Sequence, residues 1–384
     1  MKVLFIASEI GIEAPGIAYK KLISNLSEKC DITVFSPQIR CDLLEEKDSV
    51  YKKLPQLKKL PYYINRALFS ILGEDVLGKD WAKKSVDIVL QQHKKADIII
   101  SAISSNNCET LYLGKTIAKV LGAKWVVYSV DAIPAPLGWS RNNVYYRSMK
   151  EFIRRLTKNA DAFFSSNPIM LKYQKSCLDK DFKGYTGVVY TPFSQRDCKL
   201  PEKTKDPVFI YTGSLYGLRH VDTLMGAFSS FIKVYKRAKF IFVGNIDKLQ
   251  FDGFNYMIEQ GNLLLVGYTN DLSSYYSIST VLVDLSADIP DDVFLSSKIL
   301  NYLPLNRPIV AIGGNNSTAS VIFESDNSII ISTYEEHQIL EALKKSVTHD
   351  YIPGESRKIF VDKFSDKAVS KRFYNDLKKI VSEV

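Results

Sequence analysis

FIYTGSLYGLRHVD, residues 209–222, is the stretch on which the reading of this chain turns. An apolar run at 208–211 reads as a buried strand, Gly213 and Gly217 mark a tight turn, and a helix begins near Val221. A turn of this kind gathers unpaired backbone N–H groups and the positive end of a helix dipole, so an anion such as a diphosphate is favoured there. Arg219 adds a full charge with a planar fork of donors. A second reading stays open, in which the glycines merely shorten a connection.

Outward from that turn the chain alternates strand-like and helix-like segments. Strands are expected at 3–7, 31–35, 96–102, 124–128, 162–164 and 188–190, with helices at 17–29, 110–120 and 146–158. The second half repeats the scheme, with strands at 208–211, 240–243, 263–266, 281–285, 309–312 and 328–331 and helices at 221–235, 272–277 and 297–302. Such alternation argues parallel sheets covered on both faces. The polar segment QRDCKLPEKTKD separates the halves. The expected organisation is a domain at 1–195, a linker at 196–206, a second domain at 207–362, and a C-terminal helix at 363–384 packing back toward the first. Ligands of open parallel sheets bind at the carboxyl ends of the strands, and two such domains place a cleft between them.

The composition narrows the function classes. With 384 residues, 46% hydrophobic and 24% charged, the chain suits two soluble α/β domains. No run is long enough to span a membrane, and Glu9 interrupts the first apolar run before a secretory leader could form. Five scattered cysteines without a C-x-x-C pair, and four dispersed histidines, fit a reducing cytosol and give no metal site. The formal charge of +9 suits a polyanion, an anionic membrane or an anionic small substrate, although no nucleic-acid motif accompanies it. Neither a G-x-G-x-x-G fingerprint nor a P-loop is present, which argues against a nicotinamide dehydrogenase and a P-loop NTPase.

The order of segments resembles the GT-B glycosyltransferases, and most closely the retaining family 4 group that uses nucleotide-sugar donors. Gly213, Ser214 and Arg219 match the family's diphosphate-binding turn, FIFVG at 240–244 its second strand, and Ser297, Lys298, Tyr302 and Pro308 its S-K-x-x-x-Y-x-x-x-x-x-P block. The resemblance implies two Rossmann-like domains facing across a cleft, and donor-binding roles for Gly16, Gly213, Ser214, Gly217, Ser297, Asn301 and Tyr302. Asp131, in VVYSVDAIP, resembles an acidic residue on the acceptor side; as a plain turn residue it needs no such role.

Two departures stand out. Relatives carry paired glutamates, whereas Val293 and Asn301 occupy those positions here. Asp291 or Asp292 could replace the missing first carboxylate, or ADIPDD is simply a solvated acidic loop. Ser214 also replaces a frequent arginine, leaving Arg219 and Lys298 as the cations for the leaving phosphate, with Lys298 alternatively a surface lysine.

The resemblance implies a cytoplasmic transferase needing no metal or other cofactor, with retention of configuration and the departing phosphate as base. The basic, aromatic segments 50–73 and 143–158 would meet anionic lipid at the inner membrane face, or be ordinary solvated helices. The expected acceptor is a glycan, linked to polyprenyl diphosphate, of the capsule or O-antigen kind. Replacement of both glutamates keeps open an inactive GT-B scaffold subunit. A GT-B sugar-nucleotide epimerase is the third reading, and it calls for more histidines and carboxylates than the chain offers.

Overall fold

Strands with no polar alternation belong at the centre of a sheet buried on both faces, and the apolar runs of this chain are used that way. The computed structural model describes residues 1–46, 50–105, 107–139, 142–193, 206–215, 217–347 and 354–382. They fall into two units, Met1–Pro192 with Asp366–Val384, and Phe193–Ser365. The linker expected at 196–206 lies, apart from Asp206, outside the described residues.

In the first unit β1 (Lys2–Ile6), β2 (Asp31–Ser36), β3 (Tyr51–Lys53), β4 (Ile98–Ile103), β5 (Lys124–Ser129), β6 (Ala162–Ser165) and β7 (Tyr185–Val188) form one sheet. Its order is β3-β2-β1-β4-β5-β6-β7, and every pairing is parallel. The helices that shape this unit's edge are α1 (Ala14–Leu26), α2 (Tyr62–Leu72), α3 (Val76–Gln92), α4 (Thr110–Leu121) and α5 (Asn143–Thr157). The second unit holds β8 (Val208–Thr212), β9 (Lys239–Val243), β10 (Leu263–Val266), β11 (Val281–Leu285), β12 (Ile309–Ile312) and β13 (Ile329–Ser332). These run parallel in the order β10-β9-β8-β11-β12-β13, with α6 (Asp222–Ile232) following β8 and α7 (Ser297–Tyr302) preceding β12. Each sheet is a Rossmann-like, doubly wound arrangement. The strand order reverses between β1 and β4 in one and between β8 and β11 in the other, which is where such sheets bind ligands.

Two elements differ from the sequence reading. The edge strand expected at 188–190 lies at Tyr185–Val188. Gly187, which looks like a strand breaker, is required there because a β-carbon would come within 2.5 Å of the Phe164 ring on β6. The segment 50–73, read as one basic surface, divides into β3 and α2.

The last helix, α8 (Asp366–Ser382), belongs to the first unit. Val369, Phe373, Leu377 and Ile380 are its buried stripe. The Phe373 ring packs edge-on against Phe164 at 5.0 Å and lies 6.0 Å from Tyr128, while Ser370 Oγ donates to the Leu22 carbonyl of α1 at 3.4 Å. The chain's end thus completes a core begun by its first strands. Phe373→Ala should lower the stability of the first unit by about 3–5 kcal/mol. Urea unfolding followed by hydrogen exchange checks this, with amides of β5 and β6 losing protection while those of β8 and β11 keep theirs.

Candidate functional site

At the carboxyl ends of β8 and β11 the second unit brings together two cations and one buried carboxylate. Gly213 follows β8 at φ 119°, and Gly244 follows β9 at φ 145°, both outside the range an ordinary side chain tolerates. A β-carbon on Gly244 would lie 2.5 Å from the Gly213 carbonyl oxygen, so the two glycines allow their backbones to touch. A β-carbon on Gly213 would collide with Lys298 Cε. The gap left by that missing side chain is therefore the channel for the lysine stem.

Lys298 reaches this place from the first turn of α7. Ser296 caps that turn by accepting the Lys298 N–H at 3.3 Å, and its own hydroxyl donates to Asp284 Oδ1 at 2.7 Å. Asp284 sits fully buried on β11. The Lys298 ammonium lies over the Tyr211 ring, 5.4 Å from its centroid. Burial, followed by the positive charge of Arg219, pushes the Lys298 ammonium down to about 8, with Asp284 opposing the shift. Arg219 is half-buried in the turn beyond Gly217, which has φ 66°. The helix that follows, α6, carries no side-chain cap at its N-terminus.

The remaining sequence-predicted residues are placed differently. Gly213 does not offer its N–H to a ligand, because it donates to the Val243 carbonyl at 2.8 Å as the ladder continues into the turn. Ser214 accepts the Tyr211 hydroxyl on its carbonyl at 2.9 Å. Tyr302 is a core residue: its hydroxyl accepts the Thr212 N–H at 2.9 Å and meets Thr212 Oγ1 at 2.9 Å. It fastens α7 to β8 and so sets the position of Lys298. Asn301 donates from Nδ2 to the Ser297 carbonyl of its own helix at 2.8 Å, and Ser297 itself is exposed. Asp291, at φ 55°, accepts from Asn316 Nδ2 at 3.2 Å, while Asp292 is buried and accepts the Phe294 N–H at 3.3 Å. Both carboxylates serve the loop between β11 and α7, and Val293 is buried with them.

In the first unit, Gly16 answers to an internal carboxylate. Glu9 follows β1 and accepts the N–H groups of Ile12 at 3.1 Å, Glu13 at 3.2 Å and Gly16 at 2.6 Å, which fills the anion position at the start of α1. A β-carbon on Gly16 would overlap that carboxylate. Burial nonetheless makes the Glu9 carboxyl a weaker acid than usual, pushing its pKa up. Asp131 follows β5, where Oδ2 accepts from Ser105 N at 3.0 Å and Ser105 Oγ at 2.9 Å, and burial pushes its carboxyl up as well.

Sequence reasoning missed Glu9, Asp284 and Ser296. Asp284 left a readable signal, a lone carboxylate inside the apolar strand VLVDL, because acids enter such strands only with partners. Glu9 and Ser296 left none, since an acid after a strand and the first of two serines are ordinary.

Neither any protein-family model nor any curated protein matches the sequence. Solved structures do match the fold. Anabaena HepE, determined with UDP-glucose, superposes with a TM-score of 0.65 at 13% identity over 99% of this chain and 100% of its own. A glycosyltransferase from Rickettsia africae gives 0.68 at 13% identity over 100% and 99%. The lipopolysaccharide outer core galactosyltransferase WaaB gives 0.64 at 15% identity over 99% of both chains. The fold of this chain is therefore GT-B.

A lysine whose acidity is raised by burial and a neighbouring cation is restored to charge by an anion. The ammonium is present below about 8 and lost above it, so affinity for pyrophosphate should fall as pH rises through that value. Binding near that pH should take up protons, measured by calorimetry in two buffers of different ionisation enthalpy. Lys298→Met should abolish both the uptake and the pH dependence.

Proposed function

We propose that this chain is a glycosyltransferase that takes its sugar from a nucleotide-diphosphate donor held by the second unit. The observation that carries this reading is the pair Arg219 and Lys298 at the switch point beside β8, with an uncapped helix N-terminus directly after it. Both cations, with the α6 dipole, would neutralise charge as the bond between the anomeric carbon and the phosphate oxygen breaks. No metal is assigned to that work, which the two cations and the helix dipole carry in this reading. In the retaining course we assign, the departing phosphate oxygen takes the proton of the acceptor hydroxyl on the same face of the sugar. HepE, determined with UDP-glucose, and the galactosyltransferase WaaB support a nucleotide-sugar donor.

The acceptor we assign is a glycan, carried on polyprenyl diphosphate, in cell-surface polysaccharide assembly at the cytoplasmic face of the membrane. No helix among the described residues is long and apolar enough to cross a membrane. A peripheral contact is supported instead by α2, where Tyr63 is 83% exposed and Ile71 79% exposed. Lys52 and Lys53 on β3, with Lys58 and Lys59 in the loop that follows, add positive charge before that helix. The scaffold reading retains one supporting observation. Asn301 turns its amide to its own helix and Val293 is buried, so neither stands in for a glutamate.

The donor assignment is tested by thermal unfolding with a panel of nucleotide sugars. A fitting donor at 100 times its dissociation constant should add about 2.7 kcal/mol of stability. Arg219→Ala should then slow transfer by about 10²–10³-fold with the melting temperature preserved, as removal of one preorganised donor does elsewhere. Turnover at the parent rate would remove Arg219 from the site, and binding without any turnover would favour the scaffold.

The membrane contact has its own check. Changing Lys52, Lys53, Lys58 and Lys59 to Glu should weaken binding to anionic liposomes by more than tenfold, since each lysine near such a surface contributes about 1 kcal/mol. Unchanged sedimentation with the vesicles would defeat the idea.

A further inference from the structure

A cavity of about 210 Å³ opens in the first unit beneath α2, walled by α5 and the start of α3. It is smaller than the usual drug-sized pocket and suits a single ring. Its floor is polar and its mouth is cationic. At the inner end stands Glu109, 1% exposed, whose Oε1 makes no close hydrogen bond among the described residues although the Ser8 side chain lies beside the carboxyl. Asp75 stands beside it, accepting the Gly78 N–H at 2.9 Å on Oδ1. Gly78 is what lets these groups converge, because a β-carbon there would lie 2.6 Å from Glu109 Cβ. The walls are Phe69, Met149, Leu77 and Tyr145. Lys58, Lys59 and Arg66 line the mouth, the last stacked 4.2 Å from the Tyr145 ring centroid.

A buried acceptor left without a donor is costly, so the floor asks for a ligand that brings an O–H or N–H. The apolar and aromatic walls ask for a ring with C–H faces, and the mouth asks for an anion. Burial raises both floor carboxyls, which favours neutral hydroxyl donors over an ammonium that would demand full ionisation. A phosphorylated sugar has all three features at the spacing of one ring. We propose that this cavity is a binding site for a sugar phosphate, its hydroxyls turned to Glu109 and its phosphate held at the mouth by Lys58, Lys59 and Arg66. The site belongs to the first unit alone and does not depend on the donor assignment. Its ligand can be a free sugar phosphate or the phosphate-linked sugar of a lipid carrier, whose chain would leave past the exposed residues of α2.

Calorimetry on the full chain with hexose 1-phosphates, the parent hexoses and inorganic phosphate tests the proposal. At least one hexose 1-phosphate should bind ten times more tightly than phosphate or its hexose alone. Glu109→Met should weaken that binding about tenfold, the Lys59→Ala and Arg66→Ala pair by as much, and Met149→Trp should block it by filling the cavity. Melting temperature and UDP affinity, measured on each variant, separate a lost site from a lost fold. A prenyl-diphosphate-linked hexose in detergent that binds tenfold more tightly identifies the lipid carrier as the source, and equal affinity identifies the free compound. Phosphate binding as tightly as every hexose 1-phosphate, or undiminished binding to Met149→Trp, overturns the proposal. Loss of UDP binding with sugar-phosphate binding intact would count against the donor site only.

Discussion

Two cations packed side by side beneath a strand end are the constraint around which the second unit is built. Arg219 and Lys298 repel one another, and burial penalises the lysine further. The surrounding architecture nevertheless holds them there. Gly213 opens the channel for the lysine stem, Tyr302 ties α7 to β8, and Ser296 with Asp284 fixes the turn from which Lys298 starts. A single carboxylate beside two cations leaves net positive charge, and water-poor surroundings magnify it. An arrangement of this kind is stable only at some expense to folding, and its natural complement is a dianion such as a diphosphate.

The two strand-end edges are chemically opposite. In the first unit, Glu9 fills the α1 N-terminus and Asp131 and Glu109 stand near the ends of β5 and β4 with acidities weakened by burial. Such carboxyls accept hydrogen bonds from the hydroxyl groups of polyhydroxyl compounds. The second unit places its cations at the corresponding edge. The division follows from where each chain segment put its charges, since both sheets share the same winding and the same switch-point geometry.

Much of this was legible in the sequence, for identifiable reasons. Parallel strands buried on both faces must be apolar throughout, so VLFI, IIIS and VFIY announced themselves, and the order of strand and helix gave the winding. Arg219 was legible from its place after the glycine turn, and Lys298 only through the resemblance of the S-K block. Side-chain direction was not legible. Tyr302, Asp292 and Gly16 have the right types at the right spacings, yet a hydroxyl that reaches Thr212, an acid that folds onto its own loop and a glycine that faces Glu9 are settled by packing. The strand expected at 188–190 lies earlier, at Tyr185–Val188, where Gly187 makes room for the Phe164 ring.

The missing glutamates bear on how such a site would bind. A carboxylate at position 301 would sit on α7, three residues from Lys298, and would offset part of the positive charge there. Asn301 removes that offset, and its amide closes onto the Ser297 carbonyl instead. A donor bound as proposed would then be held more by its phosphates and less by hydroxyl groups elsewhere in it. A chain built so gains affinity from Lys298 only while it is protonated, and burial has moved that limit close to neutral pH. In that reading the asparagine and the lowered lysine pKa would act together: one strengthens the positive field at the strand end, and the other ties that field to an anion able to hold the proton on Lys298.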